Sequence, residues 1–179
     1  MEKKSNIILE TSLQMFFYDH LEEMNKKSTG PLSNELIFYS SLVMNHFGTS
    51  KKFFEEVDGK VKDKILGIKL LEAAQLPKDK QKEVYRDIAE TSLFICGYFS
   101  ESLNKKIVDL KYYHDLGKSA YFKLNNVVPS FYDIPNFYRV VAGSFNELTN
   151  LMNLVSLRYA SQTDKDAFFL ITHKKKNAA

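Results

Sequence analysis

Apolar residues recur along this chain at intervals of three and four positions, and few segments alternate with a period of two. A spacing of three and four places side chains on one face of an α-helix, whereas a half-buried strand needs strict alternation. Glycine, proline and Asp-Gly pairs interrupt the pattern at short intervals. We therefore predict an all-α fold, a single compact bundle of about seven helices. Residues 1–172 form the helical domain in this prediction, and residues 173–179 form a basic, disordered tail.

Two of the predicted helices differ in how their apolar residues are distributed. The helix that begins at Ser33 or Asn34 and ends at Phe47 is apolar nearly all round, which is typical of a helix at the centre of a domain. The segment 60–75 is amphipathic instead. Its inward face is predicted to consist of Val61, Ile65, Ile68 and Leu71.

The longest periodic stretch follows the break at Pro129. We expect Asp133 to cap a helix that continues to Ala160, with a kink at Gly143-Ser144. Its apolar positions are Phe137, Val141, Phe145, Leu148, Met152 and Val155. The other predicted helices cover residues 7–26, 51–57, 77–99 and 111–125, and a short last one follows a capping box at Thr163 and Asp166.

The balance of charges and the cysteine content bear on which functional classes the protein can belong to. The chain of 179 residues has 25 basic and 22 acidic side chains, and three of its lysines lie in the tail at 174–176. Nucleic-acid-binding proteins usually have a concentrated basic face, so this balance argues against that class. Cys96 is the single cysteine, and its apolar neighbours predict a core position. With neither a signal peptide nor an apolar run of about 18 residues, we expect a cytoplasmic protein without a membrane span.

Sequence motifs of catalysis and metal binding are incomplete here. Gly117-Lys118-Ser119 matches the end of a phosphate-binding loop, but Tyr112 occupies the place of the first glycine. Ser102–Lys105 matches a Ser-x-x-Lys pair without its companion motifs. The four histidines have neither a second histidine four positions away nor a glutamate three positions before. They are His20, His46, His114 and His173. We predict a protein without catalytic residues, metal site or cofactor.

The most distinctive segment is Tyr112–Tyr121. On a helix, Tyr113, Gly117, Ala120 and Tyr121 share one face, and His114 and Lys118 share another. The two small residues favour a tight crossing with a neighbouring helix. The alternative is a polar aromatic pocket between helices. Under that alternative, or at a surface that binds a partner, the candidate contact residues are Tyr98, Tyr112, Tyr113, His114, Lys118 and Tyr121.

Residues 87–121 also carry a resemblance to other proteins. In chain order, the shared features are Ser92-Leu93-Phe94, Gly97-Tyr98-Phe99, Tyr112-Tyr113, Leu116-Gly117 and Ala120-Tyr121. With this YYxxLGxxAY-like segment, the chain resembles a group of uncharacterised all-helical bacterial proteins. The resemblance implies a bacterial helical protein, and it implies no activity and no functional residues.

Two hypotheses about function follow from the sequence. The first is a non-catalytic protein–protein interaction or adaptor protein, whose partner is another protein or a second copy of this chain. It is motivated by the incomplete catalytic motifs and by the 14 phenylalanines and 10 tyrosines, because aromatic residues are enriched at interfaces. The second is a small-molecule sensor or binding module with a Tyr/His-lined pocket between helices.

Overall fold

The computed structural model describes residues 12–49, 63–100 and 110–162. The described residues form seven helices and one short antiparallel hairpin, so the prediction of an all-α fold is confirmed. The helices are α1 (Leu13–Lys26), α2 (Asn34–Thr49), α3 (Asp63–Ala73), α4 (Lys78–Tyr98), α5 (Leu110–Val127), α6 (Phe137–Gly143) and α7 (Phe145–Gln162). The hairpin consists of β1 (Ser130–Phe131) and β2 (Ile134–Pro135).

Helix α4 lies at the centre of this arrangement. It packs along α5, as the sequence predicted for residues 84–99 and 112–124, and it also contacts α2, α3 and α7. Helix α1 packs on α2 and α7, and α6 packs on α5. The central position that we predicted for α2 therefore belongs to α4. One edge of α2 faces solvent instead, since Phe38 is 37% exposed.

The predicted inward faces of α5 and α7 are confirmed. On α5, the buried residues are Tyr113, Leu116, Gly117, Ala120, Tyr121 and Leu124. All six apolar positions predicted between Phe137 and Val155 are buried as well. The periodicity of the apolar residues was sufficient to predict these buried faces, because each helix buries a single continuous stripe against its neighbours.

Two glycines allow the helices to approach closely. A Cβ added at Gly117 of α5 would lie 2.6 Å from the ring of Phe145 and 2.8 Å from Cβ of Ser92. A Cβ added at Gly97 of α4 would lie 2.6 Å from Cβ of Met152. Phe145 and Met152 are two turns apart on one side of α7, so α7 rests on both glycines at once. The interpretation of Gly117 as part of a tight helix crossing is confirmed.

The predicted orientation of α3 is wrong. Ile68 and Leu71 were expected to face the core, but they are 53% and 78% exposed. The side of α3 that meets the core carries Leu66, Leu70 and Ala73 instead. These three residues are also spaced by four and three, so the sequence contained two competing stripes. The packing of α3 on α4 decided between them. The side chains of Val61 and Ile65 lie outside the described set.

The long helix predicted after Asp133 is also wrong in its first part. The backbone N–H of Asn136 donates to the carbonyl of Pro129 at 2.7 Å and closes the hairpin, so Asp133 lies in the hairpin loop. The N-cap of α6 is Asn136, in the left-handed region at φ 55°. The chain then breaks at Ser144, between α6 and α7, where the sequence predicted a kink.

Several predictions fall on residues outside the described ranges. They are the start of the helix predicted over 7–26, the helix over 51–57, the one that follows Thr163, and the tail at 173–179. The predicted core position of Cys96 is confirmed, since this residue is 4% exposed. Burial raises the pKa of its thiol to about 12.

Replacing Gly117 by alanine should reduce the free energy of unfolding by about 1–3 kcal/mol, because the new methyl group overlaps Phe145 and Ser92. Gly143→Ala is the matched control: a Cβ at that position meets nothing within 4 Å, and Ala is the better helix former. Urea unfolding followed by circular dichroism measures both. Equal stability of the two variants would contradict the tight crossing.

Cys96 should not react with a thiol reagent in the folded protein. With its pKa at about 12, roughly one thiol in ten thousand is ionised at pH 8, and the sulfur is buried. We expect 5,5′-dithiobis(2-nitrobenzoate) to label the protein at that pH only as fast as the chain unfolds, and immediately in denaturant. Rapid labelling without denaturant would show that Cys96 is accessible.

Candidate functional site

The six residues proposed from the sequence do not converge on one pocket. Tyr113 and Tyr121 are 1% and 0% exposed, so neither ring can contact an outside partner in the folded protein. Tyr112 is partly buried, and its hydroxyl lies against Gly67 of α3. The helical segment is therefore mainly a packing element, in agreement with the small residues on its inner face.

The other three proposed residues lie in different surroundings. Tyr98 stacks on Phe94 with ring centroids 5.3 Å apart, and burial raises the pKa of its hydroxyl. Nε2 of His114 contacts the side-chain oxygen of Asn146, which connects α5 to the beginning of α7. Lys118 is partly exposed. These contacts give Tyr98 and His114 structural partners within the bundle.

An open groove lies between α2 and α4, and we name it the α2/α4 groove. Its volume is about 240 Å³. Helix α2 contributes Tyr39, Leu42, Val43 and His46, and α4 contributes Arg86 and Glu90. Phe131 of β1 and Tyr138 of α6 complete the lining. Three apolar side chains and five polar ones thus meet in a single depression.

Glu90 is held by a hydroxyl from α2. The hydroxyl of Tyr39 donates to Oε1 of Glu90 at 2.9 Å and lies 3.2 Å from the hydroxyl of Tyr121. A phenol has a single proton to donate. Because Tyr39 uses its hydroxyl hydrogen in the hydrogen bond to Glu90, Tyr121 is the donor in the second hydrogen bond. Tyr121, one of the residues proposed from the sequence, therefore contacts a lining residue of the groove without lining the groove itself.

Arg86 is held by a hydroxyl from α6. Its Nη2 donates to the hydroxyl of Tyr138 at 3.1 Å, and its guanidinium carbon lies 6.0 Å from the centroid of the same ring. The ring of Tyr138 is only 1% exposed, so this contact fixes the guanidinium against the core. Among the residues that the structure describes, this one hydrogen bond leaves most of the five guanidinium N–H donors of Arg86 without a protein acceptor.

Arg86 and Glu90 do not pair with each other. They are one turn apart on α4, a spacing at which opposite charges commonly form an ion pair. Both belong to the described residues, yet no nitrogen–oxygen distance between them is within 4.0 Å. Each interacts with a tyrosine hydroxyl instead. The groove therefore presents hydrogen-bond donors and an acceptor side by side, with free capacity on each.

The environment of Glu90 disfavours its charge. Burial raises the pKa of its carboxyl, and the hydrogen bond from Tyr39 and the charge of Arg86 oppose this shift only in part. Burial likewise raises the pKa values of Tyr39 and Tyr121 well above that of a free phenol. Ionisable groups with perturbed pKa values in a cleft are typical of functional sites, although structural networks produce them too.

Within the described ranges, no group of three or more His, Cys, Asp or Glu side chains is arranged to hold a metal ion. Among the described helices, none combines the length and the apolar composition that a membrane crossing requires.

Comparisons of the chain with protein-family models, with curated proteins and with solved structures give no match. The resemblance to helical bacterial proteins therefore stays a prediction from the sequence.

The residues of the groove were missed by the motif analysis. The one local signal is the pair Arg86 and Glu90, at a spacing that is common on exposed helix faces. Tyr39 lies 51 positions from Glu90, and Tyr138 lies 52 positions from Arg86. No local pattern indicates such distant partners.

Glu90→Gln should change how stability depends on pH. In the wild type, the folded state holds the carboxyl proton more tightly than the unfolded state, so stability falls as the pH rises from below 4.5 through the raised pKa of Glu90. The variant has no such loss. The difference in the free energy of unfolding, variant minus wild type, should therefore increase between pH 4 and pH 7.

Chemical denaturation at a series of pH values measures this difference. Glu83→Gln is the control, because Glu83 is on the exposed side of the same helix in an ion pair with Lys80. A difference for Glu90→Gln that is independent of pH would mean that the carboxyl of Glu90 is not destabilised by burial.

Proposed function

We propose that this chain is a non-catalytic protein-interaction module, and that its partner inserts a short segment into the α2/α4 groove. The observation that carries the proposal is the pair of opposite charges, Arg86 and Glu90, which form no direct ion pair and lie between aromatic and aliphatic walls. Arginine and aromatic side chains are the residues most enriched where proteins bind one another. The partner is another protein or a second copy of this chain.

Exposed aromatic side chains at the edge of the groove support a protein partner. Tyr132 is 75% exposed, and its ring lies 4.7 Å from that of Phe131, which lines the groove. Phe38 is 37% exposed and precedes Leu42, another lining residue, by one turn of α2. We call Phe38 and Tyr132 the aromatic rim. Large apolar side chains beside a cleft with fixed polar groups are typical of interaction sites.

Tyr132 also has an unfavourable backbone conformation. Its φ is 49°, in the left-handed region, where residues other than Gly, Asn and Asp are uncommon. It is the first of the two loop residues between Phe131 and Ile134, a position where glycine or asparagine would be less strained. The ring contacts Phe131 edge-on and is otherwise mostly exposed. Such an outlier is better explained by contact with a partner.

A small-molecule sensor is the second candidate, because the groove combines apolar walls with a few fixed polar groups. About 240 Å³ is slightly below the roughly 300–1,000 Å³ of typical ligand pockets. A ligand of modest size would fill it and contact Arg86 and Glu90 together. The open shape of the groove and the aromatic rim are the reasons to rank this candidate second. A cytoplasmic location is part of both proposals.

Tyr132→Asn should remove partner binding without reducing stability. Asparagine tolerates the left-handed conformation, so the turn is retained while the ring is lost. Affinity capture from the source cells, with quantitative mass spectrometry, compares this variant with the wild type. We expect the recovery of specific partners to fall by about tenfold, a loss that removal of one large aromatic interface contact can cause.

Leu71→Asn is the matched control, because Leu71 is 78% exposed on α3 and does not line the groove. Its partners should be recovered as in the wild type. If Tyr132→Asn retains all specific partners at wild-type levels, or if the wild type retains none, the proposed interaction module is wrong.

A further inference from the structure

The inference concerns the chemical group that occupies the space between Arg86 and Glu90, and it rests on the proposed binding function of the α2/α4 groove. We infer that this group is an uncharged amide of the partner, a peptide group or a carboxamide side chain, next to an aliphatic side chain. The amide oxygen accepts from Arg86, and the amide N–H donates to Glu90.

The hydrogen-bonding capacity of the two residues leads to this group. Arg86 uses one donor on Tyr138, and Glu90 uses Oε1 for Tyr39. The remaining guanidinium N–H groups and Oε2 of Glu90 have no protein partner among the described residues. Because no guanidinium nitrogen of Arg86 lies within 4.0 Å of a carboxyl oxygen of Glu90, the two residues form no direct hydrogen bond with each other. A bridging group must offer an acceptor towards Arg86 and a donor towards Glu90, as a trans peptide group does with its oppositely directed C=O and N–H.

The charges of the groove favour a neutral bridging group. A carboxylate on Arg86 would also approach Glu90, and an ammonium on Glu90 would also approach Arg86. Like charges at such distances are repulsive, and the groove is partly shielded from water. An amide satisfies both residues without adding charge. Its dipole lies along the direction from the carboxyl to the guanidinium, so both contacts are charge-assisted.

The walls of the groove indicate what accompanies the amide. Leu42, Val43 and the ring of Phe131 face the same space as the two charged groups. They offer apolar surface to a side chain of the same segment, and about 240 Å³ accommodates one residue with an aliphatic side chain. The occupant is therefore a short peptide segment of a protein partner rather than a charged chain end.

Four derivatives of leucine test this inference, since they share one side chain and differ in charge. They are N-acetyl-leucine amide (neutral), N-acetyl-leucine (anion), leucine amide (cation) and leucine (zwitterion). Binding is measured at neutral pH by NMR, from chemical-shift changes of the groove residues in the labelled full-length protein, up to about 50 mM ligand. Fragments of this size bind at millimolar concentration at best. We expect N-acetyl-leucine amide to bind at least about fivefold more tightly than the other three.

Two variants show whether the contacts are those proposed. Arg86→Gln removes the charged donor, and Glu90→Gln keeps an oxygen for Tyr39 but replaces the second oxygen by NH₂. Each should weaken binding of N-acetyl-leucine amide by about tenfold. Lys82→Gln and Glu83→Gln, on exposed positions of the same helix, should leave binding unchanged. Thermal unfolding of each variant confirms that it is folded at the temperature of the measurement.

The other outcomes are decisive as well. Tightest binding of leucine would overturn the inference in favour of a free amino acid and the sensor hypothesis. Tightest binding of either singly charged derivative, or no shift of any groove resonance, would overturn it outright. Captured partners that depend on Tyr132 but tolerate Arg86→Gln and Glu90→Gln would preserve the proposed interaction module and refute the amide contact.

Discussion

The contact between Phe145 and Gly117 positions most of the described structure. The ring occupies the space that a Cβ would need on α5, and it also meets Ser92 on α4, so three helices converge there. Met152 repeats the arrangement two turns later on Gly97. Close-packed interiors transmit small changes in volume, so these contacts determine where α5 lies relative to α4. The hairpin and α6, which follow α5, take their positions from it.

Tyr39 connects this packing to the groove. Its ring makes edge contacts with Phe131, Phe137 and Tyr138, with centroids 5.3–6.1 Å apart. Its hydroxyl, on the other side, donates a hydrogen bond to Glu90 and accepts one from Tyr121. The ring therefore packs in the core, while the hydroxyl lies at the groove. Any motion that separates α2 from α6 would therefore disturb the carboxyl of Glu90 as well.

Partial burial of Arg86 and Glu90 without a direct ion pair between them costs folding free energy. Partly buried charges lose hydration, and the loss is usually offset by a direct ion pair or avoided by apolar residues. Here each charge is held by a tyrosine hydroxyl, and the two remain apart. Perturbed ionisable groups in a cleft are typical of functional sites, and structural networks contain them as well. The strained Tyr132 at the edge of the same groove fits this view.

Local spacing along the chain determined which residues share a helix face: the inner face of α5, the apolar stripe of α7 and the role of Gly117 follow from periods of three and four. The tertiary structure alone decided which faces meet. It selected Leu66 and Leu70 over Ile68 and Leu71 on α3, and it formed a hairpin where a helix start was predicted. It also brought hydroxyls from α2 and α6 to the charges of α4. The reason is physical: helix periodicity is set by backbone hydrogen bonds between near neighbours, whereas a site built from three helices depends on packing between residues some fifty positions apart.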